Sequence, residues 1–401
     1  MNNNPDRINR VLFSLSIAFA AGGLYWLIAN SGSFLWDFKT YYAAGRAFLT
    51  GLDPYSLRDL SLVSSQTILF PYVYPPHTLV AAGLLAVPPY SVAVILFLMM
   101  KILALGTLLL IWRRHFLHDL ATPLFVLFSF FAFNAALVRD FETGNISVFE
   151  QLGLWFAFSL LLRDRWWGFA VVLLFVGSVK LTPLLFLLLP ILLGGRRRTI
   201  VTVSSAGAAV VLGAGVAVLS PRLFNGFMQN LHEPPGRGIV NPSLYQAFVD
   251  GQGFLERHAG VYLPGGLAVL LFCLSSTCIL LLAGWGIRTL FRRNRPNRKL
   301  LIVLFSCVVY ALLMPRFKDY SYLLLVVPAW YLLFRSDLVS APRLTAIAVM
   351  IPFHPAVAGF GLLTTFWKFY PLILSIILFV FYLQYIHRGR FPLPDSSSPP
   401  V

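Results

Sequence analysis
The sequence predicts an all-α polytopic membrane protein of about twelve transmembrane helices, with additional interfacial and half-depth helices. Three observations carry that expectation. Of the 401 residues, 58% are hydrophobic and 11% charged, and the mean hydropathy is +0.77, whereas soluble domains carry about 25% charged residues. Apolar runs near the ~20 residues needed to cross a hydrocarbon core recur along the whole chain. Arg and Lys gather in short clusters at the ends of those runs, which is how cytoplasmic loops are marked. The formal charge of +16 therefore reads as membrane topology, not as a nucleic-acid surface, because no separable basic domain holds it. Cys273, Cys278 and Cys307 lie inside apolar runs without metal-ligand spacing, so neither a disulfide framework nor a zinc site is expected.

Taken in order, the runs place helices near 11–30, 91–112, 120–138, 147–162, 166–178, 182–193, 199–219, 263–287, 300–313, 322–334, 344–360 and 367–386. The cytoplasmic loops are then Arg113–Arg114, Arg163–Arg165, Arg196–Arg198, Arg288–Lys299 and Arg335–Arg343, with both termini on the same side of a plasma (inner) membrane. The first run follows Arg7 and Arg10 and lacks a small-residue cleavage motif before Trp36, so it is expected to stay as the first helix. The opposite face receives 31–75, 139–146, the turn at Lys180, 220–262 and 314–321. One membrane domain spans 1–390 with outer loops 31–75 and 220–262, and the Pro- and Ser-rich stretch 391–401 is a disordered cytoplasmic tail. Two places are irregular. Residues 77–87 are too few to span and end at Pro88–Pro89, which makes them a half-depth segment. Residues 166–193 must enter and leave on one side, as two short helices around Ser178–Pro183. Broken helices at membrane depth occur where protein or a watery cavity surrounds them, so both places mark a cavity.

The outer face collects the residues able to do chemistry. Asp37 opens a segment whose apolar and aromatic spacing suits an interfacial amphipathic helix ended by Gly51; there it is either a helix cap or a proton acceptor. Phe70–His77 is a stiff aromatic and proline strip, fit to wall a groove for an isoprenoid or acyl chain or to serve as an interfacial belt. Lys180, Arg316 and Lys318 fall in short turns at depth, where ionisable groups are functional by default. The alternatives are snorkelling for Lys180 and a local ion pair with Asp319 for Arg316 and Lys318. Glu150 and Lys101 lie in apolar runs and read as helix–helix polar contacts, Lys101 without an evident partner. Arg139, Asp140 and Glu142 read as a solvated cluster. No Asp-x-Asp occurs in the chain, and His77, His232, His258 and His354 lack metal-ligand spacing, so no metal or cofactor is expected.

The run Asp37-Phe-x-x-Tyr41-Tyr42-x-Ala-Gly45-Arg46-x-x-x-x-Gly51-x-Asp53-Pro54-Tyr55, followed by Tyr74-Pro75-Pro76, resembles glycosyltransferase family 87. The likeness continues through Thr143-Gly144-Asn145, Lys180-Leu181-Thr182-Pro183 and Pro315-Arg316-Phe317-Lys318-Asp319-Tyr320. It implies a GT-C-type fold, related to bacterial mannosyltransferases that use polyprenyl-phosphate mannose. It also implies inverting transfer on the non-cytoplasmic side, with the Asp after the first helix as general base, a role that falls on Asp37. The sequence departs from the pattern at Asn145, where Gln often follows Gly, and loop 220–262 has no counterpart.

The residues fit that chemistry in their own right. Displacement at an anomeric carbon needs a carboxylate to take the acceptor hydroxyl's proton and cations where charge develops on the departing phosphate. The expected function is thus transfer of a sugar, mannose foremost, from a polyprenyl-phosphate donor to a lipid-linked or cell-envelope glycan. Tyr41, Tyr74, His77, Glu142, Asn145, Lys180, Arg316 and Lys318 are the candidate substrate-binding residues, and Glu142 is the reserve base. The rival is a transporter or flippase for lipid-linked saccharides, a class that commonly shows internal repeats; none is evident here.

Overall fold
Apolar runs away from water must satisfy their own backbone groups, and helices do so. In a computed structural model of the chain, every regular element among the described residues is helical. The described residues are 11–388, apart from 12, 13, 15, 16, 19, 20, 24, 121, 232–240, 294–296, 337 and 351–361. Residues 232–240 of the expected outer loop, His232, the greater part of the expected span 344–360, His354 and the expected tail 391–401 lie outside them.

The helices are α1 (Trp36–Leu49), α2 (Leu57–Val63), α3 (Thr78–Ala86), α4 (Tyr90–Trp112), α5 (Pro123–Thr143), α6 (Ser147–Leu162), α7 (Trp166–Val179), α8 (Leu189–Leu192), α9 (Arg196–Leu219), α10 (Pro221–Leu231), α11 (Leu244–Ala259), α12 (Leu267–Arg292), α13 (Arg298–Leu313), α14 (Val326–Arg335), α15 (Pro342–Met350) and α16 (Leu362–Arg388). The described residues among 11–29 are helical as well. Among the described residues, five stretches are long and apolar enough to cross a membrane: Tyr90–Leu117, Pro123–Thr143, Arg196–Leu219, Leu267–Arg292 and Trp367–Arg388. The other expected passes among the described residues are shorter helices, of which α6 has the expected bounds, 147–162.

Three local features differ from the sequence reading. Arg113 and Arg114 are not in a loop, because a π-turn over Arg113–Leu117 carries α4 onward. The expected span 120–138 is broken within α5: Ala132 is extended and Phe133, Asn134 and Ala135 are left-handed, a conformation that costs roughly 1–2 kcal/mol per non-glycine residue. The expected helix 322–334 begins instead as a 3₁₀ turn, Asp319–Leu325, before α14. The predicted break between 178 and 183 is present. α7 ends at Val179, Lys180 is extended, and a 3₁₀ turn over Thr182–Leu188 begins around Pro183, whose missing N–H and ring suit a helix start and not an interior.

The chain divides into two compact units, residues 1–127 with 137–239, and residues 128–136 with 240–401. In the first, α1 packs against α3 so closely that a Cβ added to Gly45 would stand 2.1 Å from the Ala82 carbonyl oxygen. Only glycine permits that approach. Ala43, Ala44 and Ala47 are fully buried in the same core as Phe38, which stacks on Phe97 of α4 at 4.5 Å. From α10, Asn230 donates to the carbonyls of Tyr55 and Tyr72, both at 2.9 Å, fixing the aromatic strip from its far side. In the second unit Phe305 of α13 stacks on Phe379 of α16 at 5.5 Å, Tyr382 donates to the Pro328 carbonyl at 2.9 Å, and Asp250 of α11 pairs with Lys368 of α16.

Candidate active site
The first unit assembles most of the candidate residues around the start of α1. Leu35, left-handed at φ 60°, precedes the helix, and Asp37 lies in its first turn. Asp37 is therefore not the capping residue; its side chain is available for longer-range contacts. Its Oδ2 accepts from the Asn145 amide at 2.7 Å, and the same amide nitrogen donates to the Tyr41 hydroxyl at 3.3 Å. The Tyr41 and Tyr74 hydroxyls are 3.0 Å apart, and their rings meet edge to face at 5.3 Å. Burial pushes the Tyr74 hydroxyl well above its ordinary pKa, and the charges of Asp37 and Glu150 push it the same way. Tyr74 thus stays protonated.

Asn145 is held in that orientation by the turn after α5. Gly144 takes the left-handed conformation, φ +68°, and the Asn145 N–H donates to the Asp140 carbonyl at 3.1 Å. Ser147 donates its hydroxyl to Asn145 Oδ1 at 2.9 Å, so the amide's NH₂ faces Asp37. The Leu35 N–H donates to the Glu142 carbonyl at 2.8 Å, joining the entry to α1 directly to this turn. A Cβ at Gly144 would stand 2.8 Å from the Phe38 Cβ. Gly144→Ala is therefore expected to destabilise the protein by at least the roughly 1–2 kcal/mol of a left-handed alanine, with the clash added. Thermal unfolding of the purified variant checks this; an unchanged midpoint would mean the turn relaxes freely.

Two sequence readings are corrected here. Asp140 is not in a solvated cluster: it is fully buried, with its carboxylate 2.7 Å from the ammonium of Lys101, itself at zero exposure. Lys101, which had no evident partner, also donates to the carbonyls of Asp140 and Asn145 at 2.7 and 2.8 Å. Arg139 and Glu142 do form a partly exposed pair at 2.8 Å. Glu142 touches this site through its backbone, and its carboxylate is engaged by Arg139.

Lys180, in the break after α7, pairs with Glu150 of α6 at 2.6 Å; the carboxylate is nearly buried and the Lys side chain 29% exposed. The helix–helix contact expected of Glu150 is thus present, and it holds Lys180 in the break. For His77, just before α3, desolvation draws the pKa below the usual histidine value, and the Ser178 backbone acts in the opposite direction. Lys39, which the sequence reading passed over, is buried on α1 with its ammonium 2.6 Å from the Gly32 carbonyl, and burial lowers its pKa. Its only sequence signal is a cation two residues after Asp37.

Arg316 and Lys318 belong to the second unit. There Ser243 donates to the Pro315 carbonyl at 2.7 Å, the Phe317 N–H donates to Asn241 Oδ1 at 2.9 Å, and Tyr322 donates to the Pro242 carbonyl at 2.6 Å. Residues 241–243 therefore brace this turn, and Arg316 is exposed. Lys318 lies 5.8 Å from the Tyr320 ring centroid.

The long apolar helices define a multi-pass membrane protein, in which one polar network sets a carboxylate beside an amide and phenols. A family model described as glycosyltransferase family 87 matches residues 72–315, more than half of the chain. The chain belongs to that family and is a membrane glycosyltransferase. The match takes in Tyr74, His77, Asn145 and Lys180, whereas Asp37, Tyr41, Arg316 and Lys318 fall outside it. Neither curated proteins nor solved structures gave a match.

Proposed function
We propose that the protein transfers a sugar, mannose as the leading choice, from a polyprenyl-phosphate donor to a lipid-linked or cell-envelope glycan, with inversion and with Asp37 as general base. The fold in this reading is GT-C-type, and the site opens on the non-cytoplasmic face of the plasma (inner) membrane, with both termini in the cytoplasm. The observation that carries the proposal is the Asp37–Asn145 contact at 2.7 Å. It draws a carboxylate from the entry of α1 and an amide from the turn after α5, 108 residues apart in sequence, into one polar network. Such an amide fixes the orientation of the carboxylate that takes the acceptor's proton, and positioned general-base catalysis contributes typically 10²- to 10⁴-fold.

Lys180 is the proposed contact for the departing phosphate. Its pairing with Glu150 keeps the ammonium oriented before the donor arrives, and a preorganised cation is worth most where charge grows during bond cleavage. Tyr41 and Tyr74 offer hydroxyls to the sugar, and His77 flanks the break that carries Lys180. Arg316 and Lys318, in the second unit, are proposed as anion contacts in their own right. Incubating the purified protein and a membrane lipid extract with radiolabelled polyprenyl-phosphate mannose, and separately with nucleoside-diphosphate mannose, tests the donor class. A labelled product from the lipid donor alone is expected; transfer from the nucleotide sugar alone would refute it.

A further inference from the structure
The buried Lys101–Asp140 pair has no place in the transfer chemistry, yet every polar atom it touches belongs to the turn that carries Asn145. Lys101 reaches the Asp140 carboxylate at 2.7 Å, the Asp140 carbonyl at 2.7 Å and the Asn145 carbonyl at 2.8 Å. The other Asp140 oxygen accepts from the Ser147 N–H at 3.1 Å, and Thr143 bonds both the Asp140 carbonyl and the Asn145 N–H at 3.2 Å. Ser147 in turn fixes the Asn145 amide. The ammonium also sits 4.6 Å from the Phe141 ring centroid, so its apolar surroundings hold it on this turn.

A fully buried ion pair is weak evidence for stability, because apolar residues of similar volume often do as well. What it supplies here is direction. A three-donor ammonium has two carbonyls and a carboxylate at fixed places on one turn, and that turn aims one amide at one carboxylate. We propose that Lys101 and Asp140 are positioning residues, a buried ionic clasp that fixes residues 140–147 so that Asn145 holds the Asp37 carboxylate in its working orientation. The catalytic consequence rests on the reading of Asp37 as the base; the positioning itself does not.

The test reads Asp37 directly. Protein in lipid nanodiscs is treated with a water-soluble carbodiimide and an amine, and Asp37 modification is followed by mass spectrometry. The carboxyl gives its proton to a carbodiimide nitrogen and its oxygen then adds to the carbodiimide carbon, after which the amine displaces the urea; losing a hydrogen bond to the carboxylate favours the protonated form that starts this sequence, so Asn145→Ala sets the scale of a released Asp37. The double variant Lys101→Met/Asp140→Asn removes both charges together, keeps an acceptor for the Ser147 N–H, and avoids leaving one charge stranded in the interior. It should unfold close to the parent's temperature, yet label Asp37 at least threefold faster, approaching the Asn145→Ala rate. Should it fail to fold, Lys101→Gln/Asp140→Asn, which is likewise uncharged and keeps a donor at position 101, should label at least twofold faster. Parental labelling in whichever variant folds overturns the proposal.

Turnover separates this inference from the reading beneath it. If transfer occurs, the folded clasp variant should lose at least tenfold in kcat with donor KM little changed. Faster labelling in the clasp variant, with kcat normal both there and in Asp37→Asn, would keep the clasp and refute Asp37 as base.

Discussion

Asp37→Asn is expected to lower turnover by about two orders of magnitude or more while leaving expression and thermal unfolding close to the parent. The substitution keeps the size of the side chain and an oxygen able to accept from Asn145, which now holds Oδ2 at 2.7 Å. It removes the group that takes the acceptor's proton. Because Leu35, not Asp37, occupies the capping position of α1, loss of a cap cannot account for a fall in activity. Initial rates at saturating donor, beside an unfolding curve, check the expectation. Near-normal turnover would dismiss Asp37 as the base, and Glu142 would not be a simple substitute, since Arg139 engages its carboxylate at 2.8 Å.

Lys180→Met should reduce both kcat and stability. From sequence alone a snorkelling lysine replaced by methionine would fold normally, but Lys180 is the partner of a nearly buried Glu150. Leaving that carboxylate without its partner costs on the order of 1–3 kcal/mol. Lys180→Met/Glu150→Gln removes the stranded charge and should recover much of the stability without recovering kcat, because a contact that strengthens as the phosphate departs is still missing. Parallel unfolding and rate measurements on the single and double variants decide it. A double variant with restored stability and restored kcat would make the pair structural and remove Lys180 from the donor site.

The parts of this arrangement that were legible in the sequence are those written locally. Pro183 marks the break after Lys180, the run between Ile146 and Arg163 gives the bounds of α6, and Asp37 follows the first apolar run at a recognisable spacing. Pairings between distant segments were not legible. Lys101 and Asp140 are 39 residues apart, and Glu150 and Lys180 are 30 apart; nothing in either local pattern names the other. Asp140 was further disguised by its neighbours. Arg139 and Glu142, three apart, share one helical face, while Asp140 lies about 100° round the helix from Arg139, turned into the interior where Lys101 waits. Reading three adjacent charges as one solvated cluster overlooked that rotation. Asn145 stood out in the sequence as a departure from the family pattern, and its amide proves to be the contact that holds Asp37.

The most direct test of the account is made in sealed proteoliposomes that carry a radiolabelled polyprenyl-phosphate mannose and a membrane lipid extract. Glycosidic product and movement of the labelled lipid between leaflets are followed in the same vesicles. The account predicts labelled glycan product with the parent protein, and about one hundredth as much or less with Asp37→Asn. Movement of the labelled lipid between leaflets with no glycosidic bond formed from any polyprenyl-phosphate sugar would contradict it, and the Lys180 turn would then be a headgroup site on a transport path.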